Sequence, residues 1–412
     1  MGFLADDRDR ERKSRVKQIT QLGLALMVVT MARGGWCQAS GPEINDRNAA
    51  LTLEQQGKNV EAEAAWRAFS RAHPVNPEPY AHLGLLEARQ EHYKKAVPLY
   101  RKALALNPTM SNLRLNLGLA LFKAGELKEA IQILSPLLKS QPPFSPEAQR
   151  LTILVGMAHY GLAEYADSVP FLKQAAARDA QNLPLRLALA HSCLWAKQSQ
   201  CVLDVYREIL TLNAESAEAD MLAGEAMDEM KDHDGAIRQF RAAVKANPKE
   251  PNVHFGLGYL LWTQKRYEEA AREFEAELDN DPNNNQTLAY LADTNLQMNH
   301  PETATPLLQQ VIRVDPGIEL AHLDLGIFYA DAGRLDDALQ ELKAAAKLAP
   351  ADVNVHWRLG RLYRAMGKNN DAKVEFDKTS NLHKAIDEAL VNKMSSNAKR
   401  TEVPTPDLPA DK

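Results

Sequence analysis

Residues 319–352 read ELAHLDLGIFYADAGRLDDALQELKAAAKLAPAD, and the fold follows from their spacing. Counting from Glu319, Leu325-Gly326 occupy positions 7 and 8, with Tyr329 at 11, Gly333 at 15, Ala338 at 20, Leu342 at 24, Ala345 at 27 and Pro350 at 32. Leu325 and Tyr329 stand four residues apart on one helical face, and Leu342 continues an apolar stripe on a second helix. Small residues at positions 8 and 20 let the two helices approach closely, which predicts Gly326 opposite Ala338. Gly333 suits the left-handed backbone that ends a helix. Pro350 stops the second helix because it lacks an amide proton and restricts its predecessor. Such a hairpin cannot bury both apolar faces alone and must stack on neighbours.

The same positions return along the chain. Copies run over residues 43–76, 77–110, 111–144, 149–182, 183–216, 217–250, 251–284, 285–318, 319–352 and 353–386. Position 8 is Gly or Ala in every copy. Between the third and fourth, Ser145–Ala148 form a four-residue insertion beside Pro142, Pro143 and Pro146. The pattern resembles the tetratricopeptide repeat, a 34-residue helix–turn–helix unit. The resemblance implies an all-α fold, a right-handed α-α superhelical solenoid of about ten hairpins. A capping helix is expected at about 381–394, at the end of a repeat region spanning 40–394. The polar, proline-bearing residues 395–412 are expected to form a disordered tail.

Residues 1–39 read as a signal peptide or an N-terminal membrane anchor. Arg8, Arg10, Arg12, Lys13, Arg15 and Lys17 precede the apolar run Ile19–Ala32. That run is short of the roughly 20 residues that span a bilayer. Small residues at Cys37 and Ala39 suit cleavage before Ser40. The expected location is periplasmic or secreted, or membrane-anchored with the repeats outside the cytoplasm; membrane association would run through the apolar segment.

The net charge of −5 argues against nucleic acid as a partner, since such proteins usually carry a basic stripe. No phosphate-binding loop, zinc-protease His-Glu pair, dinucleotide glycine motif or nucleophile elbow is present. We therefore expect no enzyme activity, no cofactor, no metal and no catalytic residue. His254, His322 and His356, at position 4 of their copies, read as packing residues. With only three cysteines there is no disulfide framework, although Cys193 and Cys201 flank one inter-helix turn. They are either a disulfide across that hairpin or two inert core thiols.

The resemblance further implies a concave groove lined by positions 2, 5, 9, 12 and 13 of the first helices. Phe122, Tyr160, Trp195, Glu225, Asp228, Phe255, Tyr259, Trp262, Trp357, Arg361 and Arg364 stand there. Aromatic anchors of this kind suit a protein or peptide partner. Phe255, Tyr259 and Trp262 look surplus to a hairpin core already supplied by Leu257, Leu261 and Phe274. The acids Glu225, Asp228 and Glu229 suggest a basic residue on the ligand. The family's carboxylate clamp is not expected, because Ala81, Leu85 and Leu154 occupy positions where it needs polar residues. The expected function is a protein–protein interaction scaffold, holding peptide segments or assembling an envelope complex. The alternative is an accessory subunit of a polysaccharide-synthesis, secretion or outer-membrane assembly machine.

Overall fold

The computed structural model describes residues 41–212 and 215–400. The expected N-terminal targeting segment lies outside them. Twenty helices and no strand occur among the described residues, paired as successive hairpins. The first five pairs are α1 (Gly41–Gln55) with α2 (Asn59–Ala72), α3 (Glu78–Arg89) with α4 (Tyr93–Leu106), α5 (Ser111–Ala124) with α6 (Leu127–Ser140), α7 (Pro146–Gly161) with α8 (Tyr165–Arg178), and α9 (Leu183–Trp195) with α10 (Ser199–Thr211). The remaining pairs are α11 (Ala217–Glu229) with α12 (His233–Ala246), α13 (Val253–Thr263) with α14 (Tyr267–Asn280), α15 (Asn285–Gln297) with α16 (Pro301–Val314), α17 (Glu319–Asp331) with α18 (Leu335–Leu348), and α19 (Val353–Ala365) with α20 (Asn369–Arg400). Packing divides the described residues into two compact units, within residues 1–239 and 240–412, with the boundary inside α12.

Close approach within a hairpin rests on position 8, but its partner is not the one expected. A Cβ on Gly326 would lie 2.7 Å from Leu342 Cγ, and one on Gly360 2.6 Å from the Phe376 ring. Helical side chains lean toward the N-terminus. The residue at position 24 therefore reaches back over the small Ala338 and meets the glycine itself. Ala338 supplies the room, and Leu342 fills it.

Every hairpin turns at position 15 with a left-handed residue. Four are glycines, including Gly333 at φ 74°, but Glu91, Ala163, Lys197, Lys231, Lys265 and Asn299 adopt the same conformation. The next residue's N–H closes the first helix, as where Arg334 donates to the Tyr329 carbonyl at 2.8 Å and Lys368 to Tyr363 at 2.8 Å. This is the Schellman pattern, which satisfies carbonyls that the helix end would leave open.

In the unit of residues 240–412, position 4 carries a recurring polar rung. Nδ1 of His254, His322 and His356 faces Glu273, Glu341 and Glu375 at 2.7, 2.6 and 2.6 Å. Nε2 of His322 and His356 faces the Pro316 and Pro350 carbonyls. The histidines are thus packing residues, tying both helices of a hairpin to the end of the preceding one.

The four-residue insertion becomes helix. Ser145 caps α7, its Oγ accepting from the Ala148 amide at 3.1 Å, and Pro146 takes the first helical turn. Proline is well placed there, where its missing N–H would have had no partner. At the other end, repeat ten's second helix and the capping helix expected at 381–394 are one helix of 32 residues. It runs six residues into the stretch expected to be a tail. Residues 401–412 lie outside the described residues.

Candidate partner-binding face

In the unit of residues 1–239, the aromatic residues on the first helices are largely consumed by packing. Phe122 and Tyr160 are only 4% and 3% exposed, so both are core rather than free anchors. Tyr160 packs edge-on against Tyr165 at 6.0 Å and lies 6.4 Å from the His191 ring of the next first helix. Trp195, half-buried, stacks on Tyr165 at 6.0 Å. Cys193 and Cys201 are joined in a disulfide, with Cα atoms 5.8 Å apart, so of the two alternatives the bridge is the one present.

The acids of α11 are engaged within the same unit. Asp228 meets His233 at 2.8 Å, and Glu229 meets Lys197 and the Ser199 hydroxyl. Glu225 is half-buried. The acids expected to meet a basic ligand are thus already paired within the unit, while Asp228 and Glu229 stay partly exposed.

In the second unit, Phe255, Tyr259 and Trp262 are not surplus to folding. Phe255 is 6% exposed and contacts the Phe274 and Tyr290 rings. Tyr259 and Trp262 meet the same Tyr290 at 5.5 and 5.3 Å, nearly edge-on. Tyr290 therefore gathers the whole stripe across the α13–α15 junction. Edge-to-face pairs of this kind each add roughly 0.5–1.5 kcal/mol beyond their burial. Tyr290 escaped the sequence reading because it stands at position 6, outside the positions taken as groove-lining. Its signal was an aromatic 31 residues beyond Tyr259.

From this cluster a run of charged groups continues over α15, α17 and α19. Trp262 Nε1 donates to Asp293, which also accepts from Gln297 at 3.2 Å. Burial pushes the Asp293 carboxyl up, and those two hydrogen bonds only partly oppose it. Asp324 is 6% exposed, and its Oδ2 has no hydrogen-bond partner among the described residues. Burial, then Asp293 and Glu319, push its carboxyl well above the ordinary range against the pull of Arg358. Burial and Asp352 raise Glu319 to about 6. On α19, Arg358 and Arg361 lie over the Trp357 ring at 5.3 and 4.8 Å, and Arg364 lies over Phe376. The face thus changes along the unit from aromatic to acidic to basic.

Family models described as tetratricopeptide repeat match residues 47–111, 223–285 and 291–353, and again 87–152 and 329–390. Together they cover more than half of the chain. The chain is a tetratricopeptide-repeat protein. Among curated relatives, this repeat protein is 24% identical over 161 residues to anaphase-promoting complex subunit 3 of Schizosaccharomyces pombe, covering 39% of this chain and 24% of that protein. It is 22% identical over 313 residues to BBSome complex member BBS4 of Bos taurus, covering 76% and 59%. The chain spans from 22% to 59% of the length of the curated relatives it matches. Among solved structures, yeast Tom70 is similar with a TM-score of 0.40 at 14% identity, covering 88% of this chain and 96% of Tom70.

Proposed function

We propose that this tetratricopeptide-repeat protein is a non-enzymatic scaffold that binds segments of protein partners on the first-helix face of residues 240–412. The observation that carries this reading is the exposed Trp357 with the Arg358 and Arg361 guanidinium groups over its ring, a large aromatic surface beside two cations. Two of the relatives are named as members of multisubunit complexes, in keeping with an assembly role.

The protein works outside the cytoplasm, delivered by the segment before Ser40. The Cys193–Cys201 disulfide supports this, since such bonds persist in oxidising compartments. Two partner classes follow: peptide-bearing soluble proteins of an envelope complex, or a membrane machine to which this chain is an accessory subunit. The test is photo-cross-linking in envelope extract, with a photoreactive residue replacing Trp357 or Arg364 on a first helix, or Arg272 or Lys343 on second helices. Partner adducts should form from the first-helix positions. Equal yields from both sets would overturn the assignment of the binding face.

A further inference from the structure

Between α17, α18 and α19 lies a cavity of about 130 Å³. Ile327, Leu335, Leu342 and Leu362 supply its apolar wall, and Arg358 and Arg361 line it from α19. Sites for drug-sized ligands run to roughly 300–1,000 Å³, so this space admits one side chain and not a cofactor. Its polar lining is predominantly cationic, because Asp331 is the only acid in it. Among the described residues neither arginine forms an ion pair within 4 Å, and the buried Nε of Arg358 has no hydrogen-bond partner. Arg358 is partly answered by Asp324, and Arg361 lies over the Trp357 ring. Guanidinium groups present planar donor forks that match carboxylates. Trp357 beside them is 39% exposed, a large aromatic surface left for contact.

We propose that this cavity is a specificity pocket for an acidic peptide segment: one apolar side chain of the partner fills it, and an adjacent Asp or Glu pairs with Arg361 and Arg358. The proposal rests on the scaffold reading above and adds the chemistry of the partner to it. Two guanidinium groups against one carboxylate disfavour a lysine or arginine beside the apolar anchor. The paired carboxylate belongs to a side chain within the segment, so a free C-terminus is not required.

Random heptapeptides displayed on phage and selected against the full chain test this directly. The expected enrichment is an apolar residue next to Asp or Glu. A synthetic peptide of the enriched sequence, with its C-terminus amidated, should bind R358Q/R361Q about ten-fold more weakly, the scale of losing a charge-paired contact. Ala365→Trp should weaken binding similarly, because Ala365 lines the cavity from an exposed position. Circular dichroism of both variants should match the parent, and Ala365→Trp should also melt like it. Enriched peptides that are basic, that need a free C-terminal carboxylate, or that bind R358Q/R361Q unchanged would overturn the pocket while leaving the scaffold reading intact. Absence of enrichment over an empty support would also overturn the pocket; the photo-cross-linking result then decides the scaffold reading separately.

Discussion

At the end of α11, in the unit of residues 1–239, Asp228 and Glu229 are met by His233, Lys197 and Ser199. On α17, in the unit of residues 240–412, Asp324 is buried with an oxygen that meets no donor among the described residues, and burial, Asp293 and Glu319 all disfavour its charged form. The first unit has a raised carboxyl of its own in Asp220, but Tyr206 donates to it at 2.7 Å. Both units are built from one hairpin plan, with the same glycine–side-chain contact and the same left-handed turn. Buried polar atoms without a hydrogen-bond partner among the described residues occur on first helices of both, Glu147 Oε1 and Gln149 Oε1 in the first unit and Asp324 Oδ2 in the second. What separates them is that Asp324 lies near further acids that push its carboxyl higher still. The repeat plan secures folding in both units, and the proposed binding face is built from side chains that plan does not use.

The largest effect should come from Tyr290→Ala, which removes the ring shared by Phe255, Tyr259 and Trp262. A loss of about 3 kcal/mol is expected, as for large aromatic truncations, read as a lower denaturation midpoint for residues 240–412. Tyr259→Ala with Trp262→Ala should likewise lower that midpoint. If either variant melts like the parent, the stripe is surplus after all and the contrast between the units weakens.

In the first unit, reduction of Cys193–Cys201 should destabilise by about 2 kcal/mol, the scale for closing so short a loop. Alkylation with mass spectrometry on unreduced, denatured mature protein should find neither thiol free. A melting curve unchanged by reductant would show that the bridge adds nothing to the packing of α9 on α10.

Smaller, and confined to the second unit, is the effect of its acids. Carboxyls raised in the folded state make it bind more protons than the unfolded chain, so stability falls as pH rises. For Glu319 the fall begins in the ordinary carboxylate range and is complete above about 6; Asp324 extends it upward. Asp324→Asn should flatten this slope and add about 1 kcal/mol at pH 8, because a buried unpaired charge is removed. Stability rising with pH over that range in the parent would refute the account.

The smallest effect concerns what the units share. Lys231→Gly in one and Lys265→Gly in the other should each stabilise by about 1 kcal/mol, since both hold a left-handed backbone that glycine adopts without strain. Asn299→Gly should gain less, because asparagine tolerates that conformation. Unequal gains at the two lysines would mean that the turns are not equivalent.

The local plan of the fold was legible in the sequence. Gly333 at its turn, Pro350 at its helix end, Gly326 at its close approach and the packing histidines are dictated by backbone stereochemistry and by helical periodicity, which act over a few residues. Even there, the partner of Gly326 required the lean of the Leu342 side chain. The binding face was legible only in part. Trp357, Arg361 and Arg364 stand out by position, but the burial of Phe122, Tyr160 and Phe255 depends on residues a full repeat or more away. So do the pairing of Asp228 and Glu229, the gathering role of Tyr290 and the solitude of Asp324. Sequence determines which side chains a hairpin presents, because that is set by spacing along one chain segment. Only the tertiary structure decides which of them are covered, paired or left without a partner, because that is set by the neighbouring hairpins stacked against them.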